Sequence, residues 1–150
     1  MRYCRLLLVV FIFISSLAVV KAANDSFVSA HQSFVAFEQS QGAFPLVSSG
    51  ITSEIYLDAA EPQGVKRAVE DLRSDIYKVT GKSPRVCCNG EWPVRYPIII
   101  GTYGKGEVVT RLAKRGLLSE KALKRKWESY VVKTLEHPMK GVDKALVIAG

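Results

Sequence analysis

Apolar residues recur at Val65, Ala68, Val69, Leu72, Ile76 and Val79, a spacing of three or four that gathers one face of a helix. Pro62 suits a first turn, and Gly81 followed by Pro84 supplies a stop, so the pattern predicts a helix over Pro62–Thr80. The opposite face carries Lys66, Arg67, Glu70, Asp71, Arg73, Asp75 and Lys78. Lys66 with Glu70 and Arg67 with Asp71 stand four apart and predict ion pairs worth roughly a few tenths of a kcal/mol each. Upstream, Ile55 and Leu57 alternate with Glu54, Tyr56 and Asp58, the period of a half-buried strand. Phe44-Pro45-Leu46-Val47 predicts a shorter strand before it, across the turn-prone Ser48-Ser49-Gly50.

Downstream, strands are predicted at Arg85–Cys88 and Pro97–Ile100, with Asn89-Gly90 as a turn after the first. A second helix is predicted over Glu107–Arg115, with Val108, Leu112 and Ala113 inward and Gly116 as its stop. Ser119 caps a short helical turn through Leu123. Two more strands, Tyr130–Leu135 and Lys144–Ala149, flank a Pro/Gly turn at Pro138 and Gly141. Leu146, Val147 and Ile148 form a continuous apolar run, which suits an inner strand covered on both faces. The order strand, strand, helix, strand, strand, helix, strand, strand predicts a mixed α/β domain: a small twisted sheet with its helices on one face. A covered strand is ordinarily followed by further structure, and the sequence stops at Gly150. The expectation is therefore a domain over 44–150, truncated at its C-terminal end, from the front of a longer protein.

The first residues change the picture of charge. Arg2 and Arg5 precede an apolar run, Leu6–Val20, broken only by Ser15 and Ser16, and Val20-Lys21-Ala22 offers a cleavage site before polar Asn24, Asp25 and Ser26. This is the pattern of a secretory signal peptide over 1–22, and the run is shorter than the roughly 20 residues that span a bilayer. It predicts a secreted or periplasmic protein with no membrane segment after cleavage. Cleavage after Ala22 removes three cations, leaving 18 basic against 14 acidic residues, net +4 rather than +7. Residues 23–43 form a polar N-terminal extension with scattered Phe27, Phe34 and Phe37. What remains has the size of one ordinary domain.

Candidate chemistry is sparse. Cys4 leaves with the signal peptide; Cys87 and Cys88 are adjacent on a predicted strand and point to opposite faces, which forbids an unstrained bridge and leaves two half-buried thiols. His31 and His137 are isolated, so no metal-ligand spacing exists. Glu70, Asp71 and Asp75 stand among cations on an exposed helix face, a solvated charge mosaic rather than glycosidase carboxylates. Gly101-Thr102-Tyr103-Gly104-Lys105-Gly106 sits between a strand and a helix like a phosphate cradle. A phosphate-binding P-loop needs four residues between its first glycine and Gly-Lys, where this loop has two, and Val109 stands where the dinucleotide fingerprint needs Gly or Ala. The favoured reading is a tight turn that needs glycine dihedrals. From Lys105 to Lys126 eight basic residues face Glu107 and Glu120, net +6, which fits a solvated helix face or a contact with a polyanion or partner. Export argues against nucleic acid. Trp92 and Trp127 fit core or interface packing, or sugar stacking. The residues thus assign no catalytic, cofactor-binding or metal-binding position.

Several motifs together go further. Phe44-Pro45-Leu46-Val47-Ser48, Ile55-Tyr56-Leu57-Asp58-Ala59-Ala60, Gly64-Val65 leading into Asp71-Leu72-Arg73-Ser74-Asp75-Ile76, and Val79-Thr80-Gly81 come first. Ile98-Ile99-Ile100-Gly101-Thr102, Lys126-Trp127-Glu128-Ser129-Tyr130 and the run from Gly141 to Gly150 follow in order. Together they resemble the N-terminal domain of glycoside hydrolase family 115, the xylan α-1,2-glucuronidases. The resemblance implies an α/β domain that precedes a (β/α)₈ barrel carrying the catalytic carboxylates, so no catalytic residue transfers to a position of this sequence. It implies release of glucuronic or 4-O-methyl-glucuronic acid side groups from xylan, with the downstream barrel and glucuronoxylan as partners and no cofactor. Two further readings are a stand-alone secreted carbohydrate-binding or adaptor domain and a truncated, non-functional product.

Overall fold

Five strands lie side by side in the order Val86–Cys87 (β4), Ile55–Leu57 (β3), Ile98–Gly101 (β5), Val142–Ala149 (β7) and Val131–Met139 (β6), in a computed structural model that describes residues 35–38, 40–88, 95–124 and 128–150. The chain divides into two units, Met1–Phe37 and Glu38–Gly150; the sheet belongs to the second. The signal segment 1–22, His31, the Asn89-Gly90 turn, Trp92 and Trp127 lie outside the described residues. In the first unit Val35–Phe37 are exposed.

The elements, in order, are β1 (Val47–Ser48), β2 (Ile51–Thr52), β3 (Ile55–Leu57), α1 (Gln63–Thr80), β4 (Val86–Cys87), β5 (Ile98–Gly101), α2 (Glu107–Lys114), α3 (Glu120–Leu123), β6 (Val131–Met139) and β7 (Val142–Ala149). β4, β3, β5 and β7 run parallel, while β6 closes one edge antiparallel to β7. β1 and β2 form a separate hairpin, turned at Ser49 and Gly50 with φ of 51° and 75°, the positive values that match strand twist in a tight hairpin. The mixed α/β class predicted from the pattern is the class observed.

The helices, however, do not share one face. Ile55, Leu57 and Ile98 pack with Val69 and Ile76 of α1. Their strand neighbours Tyr56, Ile99 and Val147 pack with Val108, Val109 and Leu112 of α2. The strand order explains this correction. The chain leaves β3 through α1 toward β4 on one side, and leaves β5 through α2 and α3 toward β6 and then β7 on the other. Right-handed crossovers taken in opposite directions put their helices on opposite faces. The same layering corrects the expectation of a half-buried β3: Ile55, Tyr56 and Leu57 are all buried, because the second layer covers the tyrosine.

α1 matches its predicted span, and Gly81, at φ 68°, ends it by returning its N–H to Tyr77. Its apolar stripe is narrower than predicted: Val69 and Ile76 are buried, Val65 and Leu72 partly so, while Ala68 and Val79 are exposed. An 18-residue helix is about 27 Å long, whereas the four residues of β5 cover about 13 Å, so the helix overhangs the sheet. The predicted Lys66–Glu70 pair is absent. Lys66 donates to the Ala59 carbonyl at 2.8 Å, and Glu70 pairs with Arg73 at 3.0 Å, as Asp75 does with Lys78 at 2.9 Å.

α2 buries Val108, Val109, Leu112 and Ala113, and Ser119 caps α3 through the Ala122 N–H. β7 occupies the inner position that its apolar run predicts. Pro138, expected in a turn, lies inside β6 beside a register shift between Glu136 and Met139. An edge strand with a bulge is where a residue lacking an N–H is tolerated; the turn itself falls at Gly141, φ 82°. Cys87 is buried, its thiol donating to Glu54 Oε2 at 3.6 Å, and Cys88 is exposed, so the pair is split between interior and solvent rather than half-buried twice.

Candidate functional site

In an open parallel sheet, the crevice for ligands opens at the carboxyl ends of the strands where successive connections depart to opposite sides. Here that point lies between β3 and β5. Two loops meet there, Asp58–Pro62 after β3 and Thr102–Gly106 after β5. Neither Asp58 nor Glu61 stands out in the sequence, yet they organise the place. Glu61 is 3% exposed and its Oε1 accepts the Thr102 N–H at 2.8 Å. Asp58 Oδ1 accepts the Ala60 N–H at 2.9 Å, and Oδ2 accepts the Glu107 N–H, the first of α2, at 3.1 Å.

The glycine loop is thereby explained in detail. Gly104 has φ 82° with open space around it, the tight-turn role expected of it. Gly101 and Gly106 have a different role. A Cβ on Gly101 would stand 2.6 Å from Glu61 Oε1 and 3.0 Å from Val109 Cγ2, and a Cβ on Gly106 would overlap Glu61 Oε1. These two glycines leave room for a carboxylate. The backbone donors that a phosphate would use are engaged within the chain: Thr102 by Glu61, Glu107 by Asp58, and Gly104 by Thr110 Oγ1 at 2.9 Å. The loop that resembles a phosphate cradle is filled by its own acids. Glu61 Oε2 is buried with no hydrogen-bond partner among the described residues, an atom whose burial is costly.

Tyr56 lies under this site. Burial raises its phenol above the ordinary value of 10.0; Asp58 and Glu107 push the same way and Arg111 opposes them. Tyr103 is also raised, first by desolvation and then by Glu120. A phenol held neutral in the fold contributes stability that is fully present below pH 10.0 and is lost as pH climbs through the raised folded value. Phenolate absorbance during alkaline titration should show Tyr56 ionising after ordinary tyrosines. Tyr56→Phe should remove one late phenol and flatten the decline of stability at high pH; an unchanged decline would show that Tyr56 does not carry it.

On the outer side of the same loop, a groove of about 360 Å³ is lined by Lys105, Glu107, Thr110, Arg111 and Lys114, among others. The remaining cations of the basic stretch go elsewhere. Arg115 donates to the Pro138 carbonyl at 2.6 Å, Lys121 and Lys124 are exposed, and Arg125 and Lys126 lie outside the described residues. The α1 carboxylates Glu70, Asp71 and Asp75 are exposed, as the charge-mosaic reading has them. Glu70 sits with Arg73, Ser74, Tyr77 and Ser83 around a smaller groove of about 240 Å³. His137 is exposed on β6. Among the described residues no group of three His, Cys, Asp or Glu side chains is arranged to hold a metal ion, and no helix is long and apolar enough to cross a membrane. No protein-family model matches the chain, and no curated protein sequence matches it.

Proposed function

We propose that the chain is the N-terminal part of a secreted glycoside hydrolase that removes glucuronic or 4-O-methyl-glucuronic acid side groups from xylan, this domain supporting a catalytic barrel supplied by downstream residues. One observation carries the reading. The motifs behind the resemblance to family 115 are scattered over a hundred positions of sequence and meet in the fold. Ile55–Leu57, Ile98–Gly101 and Leu146–Ala149 pair side by side, and Asp58, in the Ile55–Ala60 motif, holds the start of α2. A shared domain requires its motifs to meet in one core, as these do. Asp58 engages both oxygens with backbone N–H groups, as a structural tie does, and the chemistry is assigned to the barrel.

A second reading, a stand-alone carbohydrate-binding domain, is favoured by the basic groove beside α2. The source DNA beyond the Gly150 codon separates the two. An in-frame barrel is expected, the exported product should begin at Ala23, and that longer protein should release uronic acid from glucuronoxylan while the chain through Gly150 releases none. Release by the shorter chain, or none by the longer one, would overturn the proposal.

A further inference from the structure

We infer that the free edge of β6 pairs with the β6 of a second copy of this chain, about a two-fold axis at Val132, giving a dimer with one continuous sheet. β6 is the last strand on its side of the sheet. On β7, the Leu146 and Gly150 N–H groups bond to the Pro97 and Gly101 carbonyls on the β5 side. Successive residues of a strand turn their main-chain groups to alternate sides. The bonds from β7 to β6 therefore fall at Val131 with Ala149, Lys133 with Val147 and Leu135 with Ala145. Val132 and Thr134 turn their N–H and C=O groups outward, where they meet no partner among the described residues. Such a row of open donors and acceptors is a template for another extended strand.

The side chains select a copy as the partner. Tyr130 is 74% exposed and Val132 57%, two large apolar groups on alternate residues of one face. That face is the α1 side of the sheet, because Val132 pairs with Ile148, while Val131 and Leu135 pack on the α2 side. An axis at Val132 sets this residue against its own copy and Tyr130 against Thr134, and such β-branched and aromatic cross-strand pairs are favourable. Charge disfavours the neighbouring registers. An axis one residue on sets Lys133 against its own copy, and an axis two residues on sets Val132 against Glu136. In the chosen register Lys133 points away from the apolar pairs and donates to the Leu117 carbonyl at 3.1 Å. Farther along, the register shift between Glu136 and Met139 and the missing N–H of Pro138 make the edge unfit for pairing. At the opposite edge of the sheet β4 has two residues, too short to template a strand, so association closes at two copies instead of running on as a fibre. About five residues a side fall well short of the roughly 20–30 of a stable interface. The dimer is therefore transient, with a Kd on the order of 0.1 mM.

Sedimentation equilibrium of the full chain from about 0.01 to about 1 mM should show monomer and dimer with no larger species. Added salt should tighten the dimer, since it screens the repulsion between two positively charged copies. Val132→Lys puts a charge on the exposed edge; it should weaken dimerisation about tenfold or more and leave the thermal midpoint of the dilute chain unchanged. Cross-linking reads the register. With Cys4 and Cys88 replaced by serine, Val132→Cys should give a disulfide-linked dimer, because the two positions meet at about 5.5 Å between Cα atoms. Thr134→Cys should not, because Thr134 faces Tyr130 of the copy. A monomer at every concentration, species larger than a dimer, weakening by salt, indifference to Val132→Lys, or Thr134→Cys linking as readily as Val132→Cys would each overturn the inference.

Discussion

Gly106→Ala should be among the most damaging single-methyl additions in this domain, and removing the Glu61 carboxylate should partly repair it. The new Cβ overlaps Glu61 Oε1. That oxygen has no easy retreat, because it accepts the Thr102 N–H at 2.8 Å and its residue is 3% exposed. The methyl therefore overpacks the crevice, at about 1–3 kcal/mol, and displaces an acceptor, leaving the half-buried Thr102 N–H unpaired at about 1 kcal/mol more. Glu61→Ala alone should cost about 1 kcal/mol, because the lost acceptor of the Thr102 N–H is partly offset by removal of the buried, unpartnered Oε2. In the double variant the methyl enters space that the carboxylate has vacated, so the two losses should fall short of additive by about 1–3 kcal/mol. Gly104→Ala is the control. Its Cβ meets nothing within 4 Å and its cost comes from φ of 82°, about 1 kcal/mol, which Glu61→Ala should leave untouched. Urea unfolding of the three single variants, the two double variants with Glu61→Ala and the parent, compared at constant m, reads these differences. Strict additivity of Gly106→Ala with Glu61→Ala would show that the carboxylate does not fill the glycine notch.

The contrast between Gly104 and Gly106 marks how far the sequence is legible. Local signals were readable. The three-and-four spacing of Val65, Val69, Leu72 and Ile76 identified α1, Gly81 and Gly116 ended helices where expected, Ser119 capped α3, and the Leu146–Ile148 run identified an inner strand. Each rests on neighbours within a few positions, where dihedral preference and periodicity act directly. The two-faced layering was not readable, because periodicity says that a helix has an apolar face and leaves open which side of the sheet receives it. That choice follows from β3 pairing with both β4 and β5, parallel contacts across long sequence separations. The site failed for the same reason. Glu61 is one acid among 14 in the chain until Gly101 and Gly106, forty and more positions later, provide the notch that buries it. At Val79 and Pro138 locally sound rules fail, because the outcome depends on the end of the sheet and on its edge.

The layering itself has a consequence large enough to measure. Leu112 and Val69 are both fully buried at 0% exposure, but in different clusters, Leu112 with Tyr56, Ile99 and Val147 and Val69 with Ile55, Leu57 and Ile98. Leu112→Ala should cost about 3 kcal/mol through lost transfer energy and the cavity left behind, and Val69→Ala roughly 2 kcal/mol for a smaller deletion. Against the roughly 5–15 kcal/mol that holds a domain together, the first alone should lower the midpoint by about 12 °C. Because the sheet stands between the two sites and they share no partner in either cluster, the double variant should be additive within about 0.5 kcal/mol. Leu112→Ala combined with Ile99→Ala, within one cluster, should instead depart from additivity by about 1 kcal/mol, since the neighbours of one cavity can relax into the other. Helices on a single face would merge the clusters and couple Leu112 to Val69 as strongly as to Ile99. Equal coupling in the two pairs would therefore refute the opposed arrangement of α1 and α2, and with it the switch point between β3 and β5 on which the site at Asp58 and Glu61 depends.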